Sequence, residues 1–211
     1  IDGNTKLIYQ RSAHELIWMN SAGTQKWNLS DYNWVQEGSA SNLRFYDGDS
    51  VHFTDDSPAS AQTVILDAAV APENIYVESD VNNFVFTGNG KLTGEMTLHK
   101  TGESTLTIAT DNDFTGTVLL QEGKICLHAD DALGGAALQA ESGTTLSVGN
   151  TANVHLNVAG SQINGAVAVD AEAELRIGNA VAWNSNLTEV NGTLRFDGDF
   201  SAVQVVSESV S

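Results

Sequence analysis

Along much of this chain the apolar residues come in pairs separated by one spacer. Leu106-Thr107-Ile108, Ile125-Cys126-Leu127, Leu146-Ser147-Val148, Leu175-Arg176-Ile177 and Leu194-Arg195-Phe196 all obey that rule, and their first members lie 19, 21, 29 and 19 residues apart. Residues i and i+2 of a strand point to the same face, so each unit predicts a short strand with two side chains turned inward and one turned out. Three units follow a glycine turn (Gly123-Lys124, Gly143-Thr144-Thr145, Gly192-Thr193), and two run on into matching text, Val148-Gly149-Asn150 and Ile177-Gly178-Asn179. Apolar patterning at the helical period is almost absent.

An isolated unit of this size cannot bury its inward face, whereas stacked coils bury it continuously and pair their backbones between coils. A β-sandwich would alternate in the same way, with turn signals every 8–12 residues or so. The repetition of whole phrases near 20 residues decides for the solenoid. The expected fold is therefore all-β, a parallel β-helix, with Leu106, Ile108, Ile125, Leu127, Leu146, Val148, Leu175, Ile177, Leu194 and Phe196 inward. At about 20–25 residues per coil, residues 58–211 hold roughly six to eight coils.

Residues 1–57 read differently. They carry Trp18, Trp27 and Trp34, three of the four tryptophans, and lead into Leu43-Arg44-Phe45-Tyr46-Asp47-Gly48-Asp49-Ser50-Val51-His52-Phe53. Solenoid ends expose strand edges and an open core, and bulky aromatics make a suitable cover. Two regions are expected: an aromatic-rich N-terminal cap over 1–57 and a β-solenoid over 58–211, with a soft boundary near Asp56-Ser57-Pro58.

Composition narrows the partners. Nine Lys and Arg stand against 27 Asp and Glu, a net charge of −18. Such a polyanion repels phosphate backbones and anionic lipid, so nucleic acid is not an expected partner. The acids are scattered through apolar text and imply no disordered tail. A lone cysteine, Cys126, excludes an internal disulfide,. No run of 18 apolar residues predicts a membrane-spanning helix. A chain that opens on Ile1 without a basic-then-apolar leader is expected to be a processed piece of something longer,.

Phe86-Thr87-Gly88-Asn89-Gly90-Lys91-Leu92 leads into Leu98-His99-Lys100-Thr101-Gly102-Glu103-Ser104-Thr105-Leu106-Thr107-Ile108, then Asn112-Asp113-Phe114-Thr115-Gly116-Thr117-Val118 and Gly123-Lys124-Ile125. This text resembles the autotransporter-associated β-strand repeat (passenger-associated transport repeat), whose usual form is Lys-x-Gly-x-Gly-Thr-Leu, then Asn-x-Tyr-x-Gly and Gly-x-Leu. Ser104 stands in place of the second glycine and Phe114 in place of the tyrosine. The match covers roughly 84–127, with echoes over 16–56 (the Asn33-Trp34 pair among them) and 143–196. The resemblance implies a parallel β-helix in a secreted or bacterial outer-membrane-surface passenger, and it implies no reaction, because the repeat is scaffold.

Candidate chemistry is sparse. His14, His52, His99, His128 and His155 lie far apart, with no zinc-like spacing, so neither a metal nor a cofactor is expected,. Cys126 falls between two inward residues and is expected on the outside of its strand. Phosphate-loop, nucleophile-elbow and dinucleotide patterns are missing,. Only carboxylates remain: Asp47/Asp49, Asp55/Asp56, Asp111/Asp113, Asp130/Asp131 and Asp197/Asp199. A pair could hydrolyse a glycoside or share a proton as in an aspartic peptidase, could hold a cation, or could cap turn amides. Capping is preferred, and Asp49→Asn is then expected to cost about 1 kcal/mol or less. If the chain is an enzyme, Asp47 and Asp49 are the catalytic candidates. Trp18, Trp27, Trp34 and Trp183 could stack on sugars, with core packing preferred. Two functions follow as expectations: a rigid scaffold or adhesin segment presenting loops to host glycoprotein, mucus or other cells, or a secreted hydrolase of mucin-like glycoprotein using paired aspartates.

Overall fold

The computed structural model describes residues 12–59, 62–185 and 187–197. Among them there is no α-helix, and the chain winds about seven turns of a parallel β-solenoid. The first face stacks Glu15–Trp18, Ser50–Thr54, Asn74–Glu78, Glu95–Thr101, Thr115–Leu120, Ala137–Ala140, Gln162–Ile163 and Ala182–Trp183, each parallel to the next. The second stacks Lys26–Trp27, Thr63–Leu66, Phe84–Gly88, Thr105–Ile108, Lys124–Leu127, Thr145–Val148, Ala166–Val169 and Leu187–Val190 in the same sense. The third face is intermittent: Ala69–Val70 pairs with Lys91–Leu92, and Asn153–Leu156, Glu174–Gly178 and Thr193–Asp197 form a later ladder.

Alternation along each strand makes inward columns that run through the stack. Leu16, Val51, Ile75, Leu98, Val118 and Leu138 form one, and Phe86, Ile108, Leu127, Val148 and Val169 another. All are buried, and one hydrophobic cluster extends from Leu16 to Val181 with no break near residue 57. Eight of the ten expected inward residues are fully buried, while Leu194 and Phe196 in the last described coil are half-buried against the core.

The phrase repeat did conceal a change of face. Leu106, Ile125 and Leu146 are successive rungs of the second face, but the next rung is Val167, 21 residues beyond Leu146. Leu175 stacks instead between Val154 and Leu194 on the third face. The irregular step of 29 residues is thus one full coil plus the turn of a corner. Val148-Gly149 and Ile177-Gly178 accordingly end strands on different faces.

At the N-terminal end the winding changes sense. Trp34–Val35 pairs antiparallel with Ile17–Trp18, and Asn42–Leu43 pairs antiparallel with Trp34–Val35. These short strands occupy the edge that the first coil would otherwise present. Beneath them Trp18, Trp27, Trp34, Phe45 and Phe53 are fully buried, with neighbouring ring centroids 4.8–6.1 Å apart. Asn33 explains the Asn-Trp pair: its side chain accepts from the Ala22 N–H and donates to Thr24 Oγ1 and the Lys26 carbonyl, fixing the loop that positions Trp34.

Buried polar groups tie coils together where strands give way to corners. The Asn112 carboxamide accepts the Leu92 N–H at 2.8 Å and donates to the Ala132 carbonyl at 2.7 Å and the Thr110 carbonyl at 2.9 Å. Its own N–H reaches the Asp131 carbonyl. One side chain therefore satisfies backbone groups of the coils on either side, which is why an amide is tolerated in an apolar core.

Candidate functional site

Of the paired aspartates expected to carry chemistry, Asp47, Asp49, Asp55, Asp111 and Asp130 sit at corners with their carboxylates on backbone amides. Val51 and Phe53 point inward, and Asp49, of the same parity, is fully buried just before them. Asp49 Oδ1 accepts the His14 N–H at 2.8 Å and Oδ2 accepts the Tyr46 N–H at 3.0 Å. Asp47 Oδ1 accepts the Ala71 N–H of the following coil at 2.9 Å. The Asp49 result corrects one expectation. Because each oxygen serves a different amide, an asparagine would lose one bond and set an N–H against an N–H, so Asp49→Asn should cost about 1–3 kcal/mol rather than about 1 or less.

The same device recurs along the rod. Asp55 accepts the Ser79 hydroxyl and the N–H groups of Asp80, Val81 and Asn82 in the next coil. The Ser79 hydroxyl first, then the Asp80 and Asn82 amides, hold the Asp55 carboxyl well below the usual carboxylate range,. Asp80 accepts the Glu103 N–H, Asp111 the Asp131 N–H and Asp130 the Asn153 N–H. Glu122 reaches backward to the Gly102 N–H. Asp113 pairs with Lys91 and Asp197 with Arg176, both on the surface. Asp56 is exposed, and Asp199 lies outside the described residues. Anionic caps on corner amides therefore link successive coils as far as Asn153, beyond which the neutral Asn157 side chain caps the Ala180 N–H.

The histidines do not gather. His52 lies between Glu15 and Glu78, 2.9 Å from each, and stacks on Tyr76, which stacks on His99, at 4.7 Å centroid spacing in both cases. His128 and Asp170 lean together over Gly149. Among the described residues no group of three His, Cys, Asp or Glu side chains is arranged to hold a metal ion. Cys126 occupies an outward position but is nearly covered, its sulfur accepting the Ser147 hydroxyl at 3.0 Å. Trp18, Trp27 and Trp34 are sealed in the core, and only Trp183 is partly exposed.

A shallow depression of about 340 Å³ lies beside the first face, lined by Glu73, Glu95, Met96, Thr97, Gly116 and Thr117. Both of its carboxylates stand in solvent, without the desolvated acid that glycoside hydrolysis employs. Neither Asp47 nor Asp49 lines it.

Sequence patterning missed Lys100. It lies in an inward column between Val77 and Leu120, fully buried, and its Nζ donates to the carbonyls of Thr101 at 2.8 Å and Gly102 at 2.6 Å. The signal was parity, because Met96, Leu98 and Lys100 alternate on one strand. Burial pulls the ammonium down to about 8, although carboxylates led by Glu122 and Asp80 work in the other direction. The unfolded chain, with an ordinary lysine near 10.5, then binds more protons than the folded one above pH 8, so stability rises with pH across that interval,. Unfolding midpoints should climb between pH 8 and 10, and Lys100→Met should flatten the climb. A slope that survives in Lys100→Met would assign it elsewhere. The window stops near 10 because burial raises the Tyr76 phenol, which acts with the opposite sign.

Comparisons with family models, with curated proteins and with solved structures each found no match.

Proposed function

We propose that this chain is a rigid, non-enzymatic scaffold or adhesin segment of a secreted or bacterial outer-membrane-surface protein of the autotransporter-passenger type, presenting its corners and faces to host glycoprotein, mucus or other cells. The observation that carries the reading is the use of the carboxylates. Asp47, Asp49, Asp55, Asp80, Asp111 and Asp130 each cap backbone amides, mostly of a neighbouring coil. A carboxylate committed to fixed amides is a structural tie, whereas a catalytic one must face a substrate. The repeat resemblance over roughly 84–127 supports export, and the net charge of −18 suits an extracellular rod that stays soluble at high local density,.

The alternative is a secreted hydrolase, glycosidase or aspartyl-type peptidase, acting on mucin-like glycoprotein through Asp47 and Asp49. The two part on one experiment: mucin turnover and melting for wild type, Asp47→Asn and Asp49→Asn, assayed well below every midpoint. The scaffold reading expects no turnover by any of the three, with Asp49→Asn the less stable variant. Turnover by wild type that vanishes in a folded Asp49→Asn would establish the hydrolase. A glycan array run with the same wild-type protein would report the ligand class.

A further inference from the structure

The acids are not spread evenly around the rod. From Thr63 to Val169 no outward position on the strands of the second face carries a carboxylate, and Lys124 is the only cation there. Its central strip consists of small or methyl-bearing side chains such as Val85, Thr107, Cys126, Ser147 and Ala168, none more than partly exposed. On one side the corners leaving the first face hold Asp56, Asp80, Glu103, Glu122 and Glu141; on the other, corners leaving the second face hold Asp111, Asp130, Asp131, Asp170 and Glu172. All ten are exposed, and none forms an ion pair with Lys or Arg among the described residues. A floor free of carboxylates, with Lys124 its one cation, thus runs along the axis between two negative ridges.

The dimensions suit one kind of occupant. Four residues per strand at about 3.3 Å each make a floor roughly 13 Å wide, and six rungs about 4.8 Å apart make it roughly 25–30 Å long. An α-helix with its side chains is about 10–12 Å across, and about 18 residues of it span some 27 Å. Laid along the axis, such a helix would set an apolar stripe on the threonine methyls and alanines, with lysines or arginines on both flanks reaching the ridges. An anionic or uncharged partner gains nothing from the ridges, and a second copy of this face would bring like charges together.

We propose that the second face is a docking surface for a cationic amphipathic helix. This deepens the scaffold reading by naming a partner class, and it rests on that reading for its biological setting alone. Mucin turnover decides between scaffold and hydrolase, and binding decides this proposal, so the two can fail separately.

The test is fluorescence anisotropy with an amphipathic Leu-Lys peptide of about 18 residues, beside a peptide of equal charge with serine at every leucine. Wild-type protein should bind the Leu-Lys peptide at least about tenfold more tightly than the serine control, with affinity falling as salt rises. The floor variant Thr107→Lys/Thr145→Lys and the ridge variant Glu103→Gln/Asp131→Asn/Glu141→Gln/Glu172→Gln should each weaken binding about tenfold or more, the ridge variant also with a flatter salt dependence. The four ridge carboxylates accept no described hydrogen bond, so that variant keeps the fold, and circular dichroism checks both. Equal binding of the serine control would show simple polyanion attraction, and unchanged affinity in either folded variant would remove the face; each overturns the proposal. So would absence of binding by wild type, or a wild-type dimer in sedimentation that Thr107→Lys breaks, which would make a second copy the occupant.

Discussion

Leu146→Asp should unfold the protein or lower its stability by at least about 4 kcal/mol, because a carboxylate would enter a dry column with no partner. Leu146 is fully buried, stacked between Ile125 and Val167 in the middle of the rod. Coils contact mainly their immediate neighbours, so the damage should also divide one cooperative unit into two weaker ones. Thermal melting followed by circular dichroism would show a large fall in midpoint and a broader or two-step transition. Lys91→Asp is the control: Lys91 pairs with Asp113 on the surface, and its loss should cost about 1 kcal/mol or less. Equal midpoints for wild type and Leu146→Asp would mean that the inward face has been misassigned.

Trp34→Ala should cost about 3–5 kcal/mol, the usual penalty for emptying a large aromatic site. Trp34 touches Trp18, Trp27, Phe45 and Phe53, so the cavity would open at the centre of the cap. Trp34→Phe should cost much less. No protein acceptor reaches the Trp34 indole N–H, so phenylalanine removes an unsatisfied donor while keeping most of the ring contacts. Denaturant unfolding of both variants checks the pair. A Trp34→Phe penalty as large as that of Trp34→Ala would show that the indole is bonded or that ring size dominates.

Most of the architecture was legible because a solenoid writes its geometry into text. Leu106, Ile125 and Leu146 recur near one coil length, and their parity gives the inward face directly. The count failed where the chain turns onto a new face, because corners have no apolar rhythm of their own. Nothing in the phrase around Leu175 distinguishes the third face from the second. The candidate site was harder to read. Asp49 could be placed at a turn by parity, but a sequence does not tell which amides a carboxylate will meet 24 or 35 residues away, as with Asp47 to Ala71 and Asp49 to His14. Cys126 was rightly placed outside its strand, yet it is covered, since its rung neighbours Thr107 and Ser147 pack against it. Lys100 escaped because lysine is read as surface by habit. The separation of charge between faces was invisible for a related reason: residues adjacent on a ridge are a full coil apart in the chain.

The corners also differ in how closely one coil sits on the last. A Cβ at Gly102, where φ is +72°, would lie 2.3 Å from the Ser79 carbonyl oxygen, so backbone rests directly on backbone there. At Gly143, with φ of +90°, nothing lies within 4 Å. The Gly102 turn is therefore locked against its neighbour, whereas the tip at Gly143 stands open even though Gly165 of the next coil rests on the Glu141 and Thr144 carbonyls beside it. Foreign sequence spliced at the Gly102 corner would lever two coils apart, whereas the same insert at Gly143 would project into solvent. Gly143 is the natural place to graft an epitope, a fluorophore loop or a second domain onto this frame, with the grafted element held beside the acidic ridge at Glu141.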